Sequence, residues 1–209
     1  MEGGLNFGTA ELLALAAALG WASGMRLYAV VFLTGLAGHL GWIPLPDGLQ
    51  LLQEPVVLWG SGVLLLVEFV ADKVPLVDSA WDALHTVIRV PAGAALAAGV
   101  FGGVIGGEQQ QWALLAALLG GTLAATSHVA KASTRAAVNT SPEPFSNIGL
   151  SLLGDLSVPA LLWLAWEHPL WAAGAVLLGI VFALVLIHFT FKFVRALWRR
   201  LKPKALSHV

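Results

Sequence analysis

The chain contains no cysteine, which excludes disulfides, thiolate metal sites, cysteine nucleophiles and cysteine-linked lipid anchors. It is also poor in charge: Asp, Glu, Lys and Arg make up 11% of its 209 residues, where a soluble domain carries about 25%. So few charges cannot cover a water-facing surface. Neither sign is in excess, since the formal net charge is −1, and without a concentrated basic surface nucleic acid is excluded as a partner. No Lys or Arg precedes Arg26, while Glu2 and Glu11 stand near the start. A cleavable signal peptide needs a positive leading segment and is not expected here. What abounds is apolar side chain. Hydrophobic residues reach 58% and mean hydropathy is +0.82, so the sequence predicts an all-α integral membrane protein with the lipid bilayer as its first partner.

A hydrocarbon core about 30 Å thick takes about 20 apolar residues in helix. Six stretches qualify: Thr9 to Leu40, Pro55 to Ala71, Asp78 to Gly103, Gln111 to Val138, Asn147 to Trp166 and Pro169 to Leu201. Between them lie helix-breaking runs such as Pro44-Leu45-Pro46-Asp47-Gly48, Lys73-Val74-Pro75 and Ser141-Pro142-Glu143-Pro144. The lengths repeat as long, short, long and again long, short, long. That pattern predicts six transmembrane helices as two inverted three-helix repeats, about 9–105 and 111–201, in a single transmembrane domain over 1–209 that ends in a short tail at 202–209. The first span is too long to cross untilted at about 1.5 Å per residue. A bend is expected there at Ser23-Gly24 and in the third span at Pro91.

Basic residues set the expected orientation. Apart from Arg26, every Lys and Arg falls beside the second loop, the fourth loop or the C-terminus, which places both termini in the cytoplasm. Tryptophans agree, with Trp42, Trp59, Trp112, Trp166 and Trp171 at the outer ends and Trp81 and Trp198 at inner ones.

Ionisable residues inside spans are patterned. Glu68 and Asp72 are four apart; Asp78, Asp82, His85 and Arg89 make one helical stripe, and His128, Lys131 and Arg135 a second, beside Ser127 and Thr134. With Arg26, Lys73, Glu143 and Asp155 added, six acids face five bases, a near balance that suits charges paired in a low-dielectric interior. Two readings follow. Either the stripes converge on one polar cavity open to the cytoplasm, or Asp78 to Arg89 is an interfacial amphipathic helix and the other stripe a solvated helix end. Arg26 and Glu68, well inside their spans, favour the first. Asp155 reads equally as a site residue or a structural hydrogen-bonding group. In the polar run from Asn139 to Asn147, Ser146 or Asn147 is placed to cap the fifth helix and to present backbone N–H groups to an anion.

These segments resemble a bacterial membrane family filed as domain of unknown function 4126. They are Ala22-Ser23-Gly24-Met25-Arg26, Glu68-Phe69-Val70-Ala71-Asp72-Lys73-Val74-Pro75 with Asp78, His128 through Lys131 to Arg135, and Val138-Asn139-Thr140-Ser141-Pro142-Glu143-Pro144-Phe145-Ser146-Asn147. The resemblance covers nearly the whole chain, implies the bacterial inner membrane and supplies no activity. A looser likeness is to six-span inverted-repeat cation exchangers with a Glu-x-Gly-Asp-Lys motif and to the lysine-exporter-like superfamily. Here Glu68 and Asp72 are four apart instead of three, Ala71 stands for the Gly, and no second copy occurs.

Four functions compete. The leading one is a small secondary transporter for a cation, either a divalent metal or one coupled to protons. Glu68, Asp72 and Asp155 are then oxygen ligands, and Glu68, Asp72, Asp82, His85 and His128 a metal-binding set. The alternative has Arg26, Arg89, Lys131 and Arg135, with Glu143 and Asn147 nearby, binding an anionic solute or phosphate-bearing lipid. An intramembrane enzyme is less favoured, because no spacing matches a named catalytic motif. A structural subunit, or a homo-oligomer, completes the set. No catalytic residue and no cofactor beyond the divalent cation is expected.

Overall fold

Six α-helices and one short 3₁₀ helix make up the described part of the molecule. A computed structural model gives residues 7–102, 110–140 and 145–201. In chain order they are α1 (Thr9–His39), a 3₁₀ helix (Asp47–Gln53), α2 (Pro55–Ala71), α3 (Val77–Gly99), α4 (Gln110–Val138), α5 (Phe145–Glu167) and α6 (Pro169–Leu201). Proline opens both α2 and α6, at the position where its fixed φ and missing N–H do no harm. The expected spans recur within a few residues. The 3₁₀ helix, packed on α1, α2 and α3, was not expected.

Four helices, α1, α4, α5 and most of α6, are long and apolar enough to cross a membrane. A fifth span arises if the 3₁₀ helix and α2, bent by 69° at their junction, are taken together. Composition alone does not qualify α3, and burial explains why. Its charged stripe, Asp78, Asp82, His85 and Arg89, is buried, whereas Val87 is 77% and Leu84 68% exposed. A helix with charge inside and apolar side chains outside suits lipid; an interfacial amphipathic helix would turn its charges to water. The interfacial reading of this stripe is therefore corrected. Large apolar side chains are likewise exposed over α2, α5 and α6, as lipid contact requires.

The bundle is organised around α1, which touches every other helix, and around the broad contact of α3 with α4. Small residues permit this closeness. A Cβ on Gly20 would run into the backbone of Gly120, and one on Gly120 into Gly93 and Ala97, so α1, α3 and α4 meet backbone to backbone. The bend expected at Ser23-Gly24 falls slightly later, at Arg26, whose φ of −147° and ψ of 86° interrupt α1. Past Pro91, α3 continues as one helix.

Candidate functional site

Five of the helices send charged side chains to a common interior. Because residues four apart share a helix face, Glu68 and Asp72 point together from the end of α2. Asp78, Asp82 and Arg89 line one side of α3, Lys131 and Arg135 one side of α4, and Asn147, Ser151 and Asp155 one side of α5. Arg26 enters from the break in α1.

Their ion pairs form one unbroken chain of alternating sign. Glu68 Oε1 meets Arg89 at 2.6 Å, Arg89 meets Asp82 at 3.0 Å, Asp82 meets Lys131 at 3.2 Å and Lys131 meets Asp72 at 3.0 Å. Asp72 also takes Arg135 at 2.7 Å and Arg26 at 3.1 Å. From Arg26 the chain passes to Asp155 at 2.8 Å and ends on Lys73, again at 2.8 Å. Asp78 lies 3.8 Å from Arg135 and accepts from Asn139. Among the described residues five acids thus face five bases; Glu143, the sixth acid counted in the sequence, lies outside them. Most members are essentially inaccessible, with Arg89, Glu68, Asp72 and Asp78 at 0%. Such burial is tolerable only because each charge has a partner of opposite sign.

The break at Arg26 is part of the same construction. Near it the carbonyl of Gly24 accepts from Arg89 at 3.3 Å and that of Met25 from Lys131 at 3.1 Å, so side chains of α3 and α4 satisfy backbone oxygens inside the membrane region. Arg26 also donates to the carbonyl and hydroxyl of Ser151. Among the described residues its Nε and Nη1 have no acceptor.

The histidines are placed by their hydrogen bonds. His128 Nδ1 lies 2.9 Å from Arg89, which can only donate, so Nδ1 accepts and Nε2 carries the proton toward Thr86 Oγ1 at 2.8 Å. Thr86 in turn donates to the Asp82 carbonyl. His85 stands apart from the ion pairs: Nδ1 donates to the Trp81 carbonyl, Nε2 accepts from Tyr28, and the ring stacks on Trp81 with centroids 4.1 Å apart. Among the described residues no three His, Asp or Glu side chains come together as a metal site requires. The five possible metal ligands, Glu68, Asp72, Asp82, His85 and His128, are therefore not gathered around a common point.

Sequence spacing does not reveal several participants. Ser151 joins Arg26 to Lys73, a base already counted in the sequence, and Tyr28, Thr86 and Asn139 complete the hydrogen bonding. The four-residue steps from Asn147 through Ser151 to Asp155 were the available signal for Ser151. Within the described residues α5 runs from Phe145, which places Ser146 and Asn147 in the first turn described. Asn147 is buried with both amide atoms unpartnered.

Beside the ion pairs, α1, α4, α5 and α6 line a partly open cavity of about 550 Å³. Arg26, Asp72, Lys131 and Arg135 border one end, and the rest is mainly apolar, from Trp21 and Val158 to Leu164 and Ala183. Buried charge beside an apolar cavity can hold a ligand that brings both chemistries.

The molecule is thus a helical membrane-embedded protein with an internal network of buried salt bridges. No curated protein and no solved structure matches the chain, so the looser likeness to cation exchangers gains no support from comparison. The family model described as "Domain of unknown function (DUF4126)" matches residues 13–188. That span holds every ion-paired residue of the network, and the chain belongs to this family.

Proposed function

We propose that the protein is a small membrane carrier, built as six spans in two inverted triplets within one domain, which binds an anionic solute or a phosphate-bearing lipid at the charged end of its cavity. One observation carries this reading: three cations, Arg26, Lys131 and Arg135, border the cavity against a single carboxylate, Asp72. An incoming anion competes with Asp72 for these cations, and Arg and Lys donors suit oxyanions. Displacing Asp72 disturbs the ion-pair chain across α1 to α5, so binding and helix movement are coupled through one set of contacts. The break in α1 at Arg26 supplies the discontinuous span that carriers use at their binding sites.

The cation reading has less support, because of its carboxylates only Asp72 borders the cavity and no three His, Asp or Glu side chains gather among the described residues. Thermal melting of the purified protein separates the two, since a ligand that binds only the folded state raises the melting temperature. Phosphate-bearing and carboxylate solutes are expected to raise it, and Lys131→Gln to abolish the rise. A rise with magnesium or manganese that Glu68→Gln removes would replace this reading with the cation one. Uptake of the stabilising anion into reconstituted vesicles then tests transport itself.

A further inference from the structure

The cavity is charged at one end only. Its remaining wall carries Val158, Leu161 and Leu164 from α5 and Phe182 and Leu186 from α6. A small hydrophilic anion would satisfy the charged end and leave this wall without an apolar group of the ligand against it. At about 1.5 Å per residue the stretch of α5 from Gly154, beside Arg26, to Leu164 runs about 15 Å. One leaflet of a hydrocarbon core about 30 Å thick is about 15 Å deep, so the wall has the reach of one extended acyl chain. A volume of about 550 Å³ lies within the range of about 300–1,000 Å³ usual for small-ligand sites.

The mouth also points to the bilayer. Leu153 and Phe182, on α5 and α6, border the cavity and are 65% and 64% exposed on the apolar exterior. A ligand passing between them comes from lipid. At the charged end, α5 places Gly154 against Arg26: a Cβ there would stand 3.4 Å from Arg26 Nε. Both Nε and Nη1 of that buried guanidinium lack acceptors among the described residues, so the site holds donors without a match there.

We infer that this cavity takes a single-chain amphiphile, its anionic headgroup held by Arg26, Lys131 and Arg135 and its hydrocarbon tail lying along α5 and α6 after sideways entry from the bilayer. The inference rests on the anion-carrier reading and narrows it to a lipid-derived substrate class. Carboxylate and phosphate headgroups share the oxyanion chemistry that the three cations recognise.

Equilibrium binding to the full chain in nanodiscs of phosphatidylcholine tests it, with radiolabelled palmitate competed by lysophosphatidate, hexadecanol, phosphatidate, butyrate and inorganic phosphate. Saturable palmitate binding is expected, with lysophosphatidate competing and butyrate and phosphate weaker by about 100-fold or more, because the tail's apolar burial is lost. Ser157→Trp, an exposed position at the cavity wall, should block the tail, and Arg135→Gln should weaken the headgroup. If Arg135→Gln fails to fold, the comparison of palmitate with uncharged hexadecanol reads the headgroup in the unaltered protein. Butyrate and phosphate binding as tightly as palmitate, with Ser157→Trp indifferent, would overturn the amphiphile while leaving the anion carrier. Equal competition by phosphatidate would overturn the single chain alone. Hexadecanol binding as well as palmitate, or no saturable binding by any anion, would overturn both.

Discussion

The Arg89 guanidinium meets the Glu68 carboxylate at 2.6 Å with both side chains wholly buried, and this pair joins α2 to α3, helices that share little other packing. Arg89 is the cation that Glu68 has, whereas Arg89 also holds Asp82. Arg89→Met should therefore strand a buried carboxylate and destabilise the protein by about 3–5 kcal/mol. Adding Glu68→Met should recover much of that loss, because Asp82 keeps Lys131. Melting of the two single variants and the double variant in detergent checks the coupling. Simple additivity of the two losses would show that the pair is not energetically joined.

Asp72 and Asp155 predict different sensitivities. Asp72 is inaccessible and holds Arg26, Lys131 and Arg135, while Asp155 is partly accessible and holds Arg26 and Lys73. Asp72→Asn leaves three clustered cations without their shared counter-charge, so it should lower the yield of folded, membrane-inserted protein severely. Asp155→Asn should be milder, since Arg26 retains Asp72 and Lys73 keeps the Phe69 carbonyl and the Ser151 hydroxyl. Size-exclusion profiles of the two variants, measured side by side, should rank them in that order; the reverse order would contradict the assigned hub.

Glycine positions provide a test of packing independent of charge. Gly20→Ala and Gly120→Ala place a methyl group against facing backbone, and overpacking of this kind costs about 1–3 kcal/mol. At Gly149 and Gly174 a Cβ meets nothing within 4 Å, so alanine there should leave the melting temperature unchanged or slightly raised. Loss of stability at Gly149 and not at Gly120 would contradict the close approach of α1, α3 and α4.

Orientation is testable because the chain has no cysteine of its own. Asp47→Cys, at an exposed position in the connection between α1 and α2, should react with a membrane-impermeant maleimide in intact cells, and Ser207→Cys should react only after permeabilisation. The opposite pattern would invert the topology drawn from the Lys and Arg distribution.

By itself the sequence determined the solvent, the helix positions and most of the charged residues that matter. Those follow from composition and from short-range periodicity, which depend only on neighbouring residues along the chain. The stripes Asp78-Asp82-Arg89 and Lys131-Arg135 were legible for that reason, and so was Arg26 as an intramembrane charge. Tertiary structure alone decided which acid holds which base, because Asp72 receives partners from α1 and α4 that are far away in sequence. It decided that α3 turns its charges inward, that His85 leaves the network for Tyr28 and Trp81, and that Ser151 and Lys73 join Arg26 and Asp155. It also decided which charged residues border the cavity, namely Arg26, Asp72, Lys131 and Arg135. A list of residues is nearly neutral in total, and only the packing of helices determines which charges pair with one another and which of those pairs stand beside an apolar space.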